Sequence, residues 1–321
     1  MNLSEVAAFN KQIKVIFVVG PTAAGKSRLA LDLAQEYGGC IVNIDSVQFY
    51  QGLEIGSAAP TKEDLASVNH YLYSYLKAPF EQTAGQYIRD FYKLLNEVQM
   101  PSPIFIVGGT GFYIQALEKG MYNLPEVSDD IKSQVLSEFQ MGKAEILFRE
   151  LKEFDPASDL HINDHYRVGR ALEVKRAFNL KMSEFKRQNE EQNKYQFPFA
   201  YIKIGQTFSN EKKDLFLKHV EKRTQAMLQN GIIDEVNSFL KAGFEDWAPL
   251  SSVGFLEVKN YLNNSLDQTE LKDQIVTSTM QLVKKQKTWF KRDQSILWSD
   301  MFADNHTELN LKIQDFLNSP I

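Results

Sequence analysis

Three short phrases hold residues whose types and spacing could do chemistry. The first, GPTAAGKS from Gly20 to Ser27, fits G-x-x-x-x-G-K-[ST]. In that spacing Gly20, Pro21, Thr22, Ala23, Ala24 and Gly25 make a tight loop. Its free backbone N–H groups and the following helix start surround a phosphate, Lys26 neutralises outer oxygens, and the Ser27 hydroxyl holds Mg2+. The pattern selects a phosphate or diphosphate compound without naming it, and ATP is only its commonest occupant. The second phrase is DSVQFY, Asp45 to Tyr50. A carboxylate leaving a strand there can serve as a general base, as an outer-shell Mg2+ ligand, or as a cap for the segment that follows. The third is GGTGFY, Gly108 to Tyr113, whose glycines suggest close backbone approach to a ligand.

These phrases need elements to position them. Ile13 to Val19 is a short β-rich apolar run leading into the first loop, and Leu29, Ala30, Leu33, Ala34 and Tyr37 then recur at helical spacing. Cys40 to Asp45 and Ile104 to Val107 read as further buried strands, each ending in small or polar residues. Strands alternating with helices predict a parallel sheet with helices on both faces. Ligands bind beyond the carboxyl ends of such strands, so Gly20, Asp45 and Gly108 are expected in one crevice. After Pro125 the texture changes. Ser128 to Asn193 is rich in charge and helix formers, with a helix-start signal at Asn163 and Asp164. The fold expected is therefore α/β, a P-loop NTPase-like parallel sheet with an inserted helical domain. The catalytic core would span residues 1–125 and 195–321, and the insert residues 126–194. Phe199 to Ile204 resumes a strand pattern, followed by an amphipathic stretch from Asn210 to Ala242 that Gly231 interrupts.

Composition narrows the partners. A net charge of −5 over 321 residues gives no global attraction for nucleic acid, so an RNA partner needs a local basic surface. From Gln274 to Arg292 no acidic residue occurs. There Lys284, Lys287, Thr288 and Lys291 would share one helix face, with Lys285 alongside. Arg167 to Arg187 is a second basic run. Both runs also read as solvated helix faces. The single cysteine, Cys40, can form no internal disulfide and reads as a buried apolar side chain in a reducing compartment. Val15 to Gly20 is too short for a signal core or a membrane span, so a cytoplasmic protein with no membrane partner is expected. His161 and His165 have the i, i+4 spacing of a zinc pair but lack a third ligand.

Taken together the phrases resemble the tRNA dimethylallyltransferase family, also called tRNA isopentenyltransferase. The resemblance runs nearly end to end. It takes in GPTAAGKS, DSVQFY, IGSAAP (Ile55 to Pro60), GGTGFY, HINDHYRVGRALEV (His161 to Val174), HVEKRTQAML (His219 to Leu228) and KKQKTWFK (Lys284 to Lys291). It implies transfer of a dimethylallyl group from dimethylallyl diphosphate to N6 of adenosine 37, beside the anticodon of tRNA, with pyrophosphate released. Lys26, a Ser27-held Mg2+ and Arg223 would stabilise the leaving diphosphate, Asp45 would deprotonate the amine, and Thr110 would orient that carboxylate or the base. The adenine must leave its stack, which calls for contacts to flanking nucleotides. Ser46, Gln48, Lys284, Lys285, Gln286 and Trp289 are the candidates, with Arg167 and Arg170 as phosphate clamps from the insert. Arg170 could equally pair with Glu173, and Trp289 could equally belong to the core. The protein is expected to act as a monomer.

The match has gaps. The family usually reads IGTAKP where this chain reads IGSAAP, which puts Ala59 in place of a lysine, and His219 and Met280 stand where arginines are common. Fewer cationic contacts should weaken diphosphate or RNA binding while leaving the chemistry. Two other readings stay open: an enzyme on a small acceptor, either a prenyltransferase for free adenine nucleotides or a P-loop kinase, and a catalytically weakened RNA-binding paralogue.

Overall fold

The computed structural model describes residues 13–121, 126–192, 195–263, 267–303 and 306–320. Boundaries expected at Pro125 and Lys194 lie outside these residues. The chain divides into two compact units. One is built from the chain up to Lys119 and from Phe197 onward, the other from Gly120–Gln196.

The first unit is organised by a six-stranded parallel sheet in the order β3-β2-β4-β1-β5-β6. Its strands are β1 (Lys14–Val19), β2 (Cys40–Asn43), β3 (His70–Tyr71), β4 (Ile104–Val107), β5 (Ala200–Thr207) and β6 (Ile296–Asp300). Strand β1 lies at the centre, with Val15 opposite Ile104 and Tyr201, and is buried along its whole length. A parallel strand covered on both faces has no use for alternation, which is why KVIFVV is a nearly continuous apolar run. Successive side chains still point to opposite faces. Val15, Phe17 and Val19 join the larger core with Ile104 and Ile106, while Ile16 and Val18 join a second core with Phe105 and Val107.

Helix α1 (Lys26–Tyr37) lays Leu29, Ala30, Leu33 and Ala34 onto that second core. The short helices α2 (Glu54–Ser57) and α3 (Lys62–Ser67) follow β2. Helices α4 (Ala84–Glu97) and α5 (Gly111–Lys119) flank β4 in sequence. Strand β2 stops two residues short of Asp45. The buried Asn43 accepts the Asp45 N–H at 2.8 Å and donates to the Leu72 carbonyl at 3.0 Å, turning the chain out of the sheet. Conversely β5 continues past Ile204, because β6 pairs with its second half.

The second unit holds α6 (Asp129–Gln140), α7 (Ala144–Phe154), α8 (His165–Phe178) and α9 (Met182–Gln192). Val135, Leu147, Leu151, Val168 and Leu172 form a small core of its own. Asp164 caps α8 by accepting the Arg167 N–H at 3.2 Å, which is the reason for the helix start at that point.

Back in the first unit, Gly231 at φ 102° separates α10 (Lys213–Gln229) from α11 (Ile232–Lys241). Then come α12 (Phe255–Asn263), α13 (Gln268–Phe290) and α14 (Thr307–Asn318). Helix α13 starts in a reciprocal capping box between Asp267 and Glu270, and its buried Ile275, Val283 and Phe290 seat it firmly. Among the described residues no helix is long and apolar enough to cross a membrane.

Candidate active site

The glycine loop runs from the end of β1 to the start of α1. Lys26 is buried, and its ammonium donates to the Pro21 carbonyl at 2.8 Å. Burial lowers its pKa to about 8; Asp45 opposes that shift and Arg223 adds to it. Thr22 is gripped twice. Its N–H donates to Oε1 of Gln286 at 2.7 Å, and its hydroxyl accepts from Nη1 of Arg223 at 3.1 Å. Gln206, at the end of β5, supports the loop from below. With its amide nitrogen turned toward the loop it donates to the carbonyls of Ala24 and Gly25 at 2.8 and 2.9 Å. Ser27 is exposed at the start of α1.

Asp45 sits close enough to both Lys26 and Arg223 to influence their protonation. One carboxylate oxygen accepts the Val47 N–H at 3.1 Å, so part of its bonding capacity caps the turn that follows. The other oxygen has no hydrogen bond among the described residues. Thr110 makes no hydrogen bond to this carboxylate among the described residues. Its Oγ1 accepts the Ser46 N–H at 3.1 Å and lies 3.3 Å from the Ser46 hydroxyl, thereby holding the backbone next to Asp45.

The GGTGFY phrase closes the third side. A methyl group on Gly109 would lie 2.7 Å from Nε2 of Gln286, 3.2 Å from the Gly20 carbonyl oxygen and 3.5 Å from the Lys26 ammonium. One on Gly111 would lie 2.1 Å from the Trp289 indole nitrogen. Glycine is needed at Gly111 because the Trp289 ring already occupies the space, and at Gly109 a side chain would crowd Gln286 and the Gly20 carbonyl. The phrases at Gly20, Asp45 and Gly108 thus converge at the carboxyl ends of β1, β2 and β4.

The residues expected at RNA divide into two groups. Lys284 and Lys285 are exposed on α13. Lys287 turns away, donating to the Phe208 carbonyl at 3.0 Å with its ammonium 4.0 Å from the Phe208 ring centroid. Gln48 donates to the carbonyls of Ser57 and Ala58 at 2.9 and 3.0 Å. Gln286 has both ends of its amide engaged within the protein, since Nε2 also donates to the Gly109 carbonyl at 3.0 Å. Trp289 is half-buried at the edge of the main core, as its alternative reading allowed. In the helical unit, Arg167 lies 3.2 Å from Asp164 and Arg170 lies 2.7 Å from Glu173. His161 accepts the Asn163 N–H and His165 stacks on Phe139. Among the described residues no cluster of three or more His, Cys, Asp or Glu side chains could hold a metal.

The family model described as IPP transferase matches residues 48–293. The chain belongs to the IPP transferase family. A tRNA dimethylallyltransferase of Bdellovibrio bacteriovorus is 44% identical over 306 residues, covering 94% of this chain and 98% of that protein. The crystal structure of the tRNA isopentenylpyrophosphate transferase of Bacillus halodurans superposes with a TM-score of 0.66 at 25% identity, covering 95% of each chain. A eukaryotic dimethylallyltransferase acting on tRNA shares the fold with a TM-score of 0.76 at 22% identity, covering 96% of this chain and 80% of that one.

The positions where this IPP transferase departs from the usual phrases have definite surroundings. Ala59 lines a cavity of about 140 Å³ together with Ser27, Arg28, Asp64, His70 and Tyr73. His219 lies against the loop at Ala23, and burial holds its pKa below the ordinary histidine value, with Arg223 and Lys222 adding to the effect. Met280 packs against a buried cluster that includes Phe208 and Phe216.

Proposed function

We propose that the protein is a tRNA dimethylallyltransferase that moves a dimethylallyl group from dimethylallyl diphosphate to N6 of the adenosine next to the anticodon. The observation that carries this reading is the convergence of an anion-binding loop and two cations, Lys26 and Arg223, on one carboxylate, Asp45. The same convergence would also serve phosphoryl transfer, and the IPP transferase family match over residues 48–293 favours prenyl transfer. Here the cations are suited to hold a diphosphate as it departs. In the proposed reaction the allylic C–O bond breaks as the C–N bond forms, and the electron pair leaves with pyrophosphate. The amine proton passes to the free oxygen of Asp45, which is needed because the adenine amine is a weak nucleophile. Lys26 and Arg223 face the charge that develops on the bridging oxygen.

Mg2+ suits this arrangement on the chemistry of its donors. Ser27 is exposed with no hydrogen bond from its hydroxyl among the described residues, and Mg2+ takes few protein ligands when substrate phosphates and water fill the rest of its shell. Bound there it would neutralise diphosphate charge. Lys284 and Lys285 on α13, and the helical unit of residues 126–194, are the proposed tRNA contacts, with the reaction in the cytoplasm and the enzyme a monomer.

The test is incubation with labelled dimethylallyl diphosphate, Mg2+ and unmodified tRNA, followed by mass spectrometry of the nucleosides. Label on the adenosine beside the anticodon is the expected result. Label on free AMP alone would replace this reading with a small-acceptor enzyme.

A further inference from the structure

We propose that Gln286 is a positioning residue that locks the diphosphate loop and the GGTGFY phrase at a set separation, and so sets the distance between the donor and the base at Asp45. The proposal rests on the prenyl-transfer reading above.

A single carboxamide makes both links. Oε1 accepts the Thr22 N–H at 2.7 Å and Nε2 donates to the Gly109 carbonyl at 3.0 Å. Each bonded residue leads straight into the machinery. The Thr22 hydroxyl accepts from Arg223, on the donor side. Gly109 precedes Thr110, whose Oγ1 holds the Ser46 N–H beside Asp45, on the acceptor side. The Gly108 N–H already ties the GGTGFY phrase to the end of β1, donating to the Val18 carbonyl at 3.2 Å, and the carboxamide adds a second link further out, between the loops themselves.

The support behind it is rigid. Gln286 projects from α13, a 23-residue helix capped by Asp267 and anchored by the buried Val283 and Phe290 on either side. The carboxamide packs closely on Gly109, where a methyl group would lie 2.7 Å from Nε2 and 3.2 Å from the Gly20 carbonyl oxygen. Side-chain chemistry then restricts the choice of residue. Glutamine offers one acceptor and one donor at this reach, whereas ionised glutamate has no donor, lysine no acceptor, and asparagine is a methylene short. The Thr22 N–H is also consumed, so phosphate must be cradled by later amides of the loop.

The experiment compares steady-state kinetics of the full-length wild type, Gln286→Met and Gln286→Glu with dimethylallyl diphosphate and tRNA. Failure of the wild type to prenylate tRNA would sink the underlying reading, independently of Gln286. Given wild-type activity, Gln286→Met should lower kcat about 10- to 100-fold, the scale of an ångström-sized misplacement, while the KM for tRNA and the melting temperature stay near wild type. Gln286→Glu keeps the Thr22 contact but sets a carboxylate oxygen against the Gly109 carbonyl, so its kcat should fall at least as far as that of Gln286→Met. A raised KM for tRNA with unchanged kcat would make Gln286 an RNA contact and overturn the proposal, as would unchanged values of both. Should the methionine variant not fold, the glutamate variant is judged by the same kcat and KM criteria.

Discussion

Basic side chains meet opposite fates in the helical unit and at the site of the sheet unit, although elsewhere in the sheet unit Lys203 is paired with Glu118 and Asp293. In the helical unit, Arg176 binds Glu138 and Glu150, each at 2.8 Å, Lys175 shares Glu150 at 3.0 Å, and Arg167 and Arg170 pair with Asp164 and Glu173. In the sheet unit, Lys26 and Arg223 make no ion pair among the described residues, and their hydrogen bonds go to neutral oxygens. The first set is neutralised, and Arg176 and Lys175 also tie α8 to α6 and α7. The second is desolvated and only partly compensated by Asp45, which leaves a site whose electrostatics favour an incoming anion. A cation's value for function thus depends on what its neighbours leave undone.

Four measurements would break or sharpen that contrast. Asp45→Asn should retain donor and tRNA binding while kcat falls about 10²- to 10⁴-fold, the usual range for a general base; unchanged turnover would remove Asp45 from that role. Next come the two arginines. Arg223→Gln should lower kcat about 10²- to 10³-fold, as for loss of one charge-stabilising donor, without lowering the melting temperature. Arg176→Met should do the reverse, leaving kcat intact and costing about 1–3 kcal/mol of stability through the orphaned Glu138 and Glu150. Chemical denaturation alongside single-turnover kinetics separates the two outcomes.

The third measurement uses pH. Lys26 has a pKa near 8 in the free protein, and a bound diphosphate would raise it, so donor binding takes up a proton. Affinity for dimethylallyl diphosphate should be full below pH 8 and decline by up to about tenfold per pH unit above it. Calorimetric titrations at pH 7, 8 and 9 would show this, and a flat profile would contradict it. The smallest effect concerns RNA. Replacing Lys284 and Lys285 by alanine should raise the KM for tRNA a few-fold and flatten its salt dependence by about one unit of slope for each phosphate that is no longer neutralised. Arg167→Ala with Arg170→Ala should change it less, because those side chains must first leave Asp164 and Glu173. Equal effects in both units would mean that RNA breaks the internal ion pairs.

Much of the site is legible in the chain itself. GPTAAGKS stands out through its spacing, and β1 and β4 through uninterrupted apolar runs, because these are local properties. The turn at Asn43 is not legible, since it depends on a side chain reaching Leu72, 29 residues away. Lys287 looks like part of a basic face, and only the position of Phe208 diverts it. Gln206 gives no signal at all. A polar residue near a strand end has no local mark of the loop it supports.

Gln286 draws the same line most clearly. Its place in KKQKTWFK suggests RNA, yet its partners at Thr22 and Gly109 lie 264 and 177 residues away. Four of the six strands, the anion-binding loop and the family resemblance follow from sequence alone, because periodicity and motif spacing act over a few residues, whereas β3 and β6 carry no such signal. Which cations remain uncompensated, and which amides brace the site, only the tertiary structure decides. Those properties belong to side chains brought together by the parallel sheet, whose crossovers make neighbours of residues far apart in the chain.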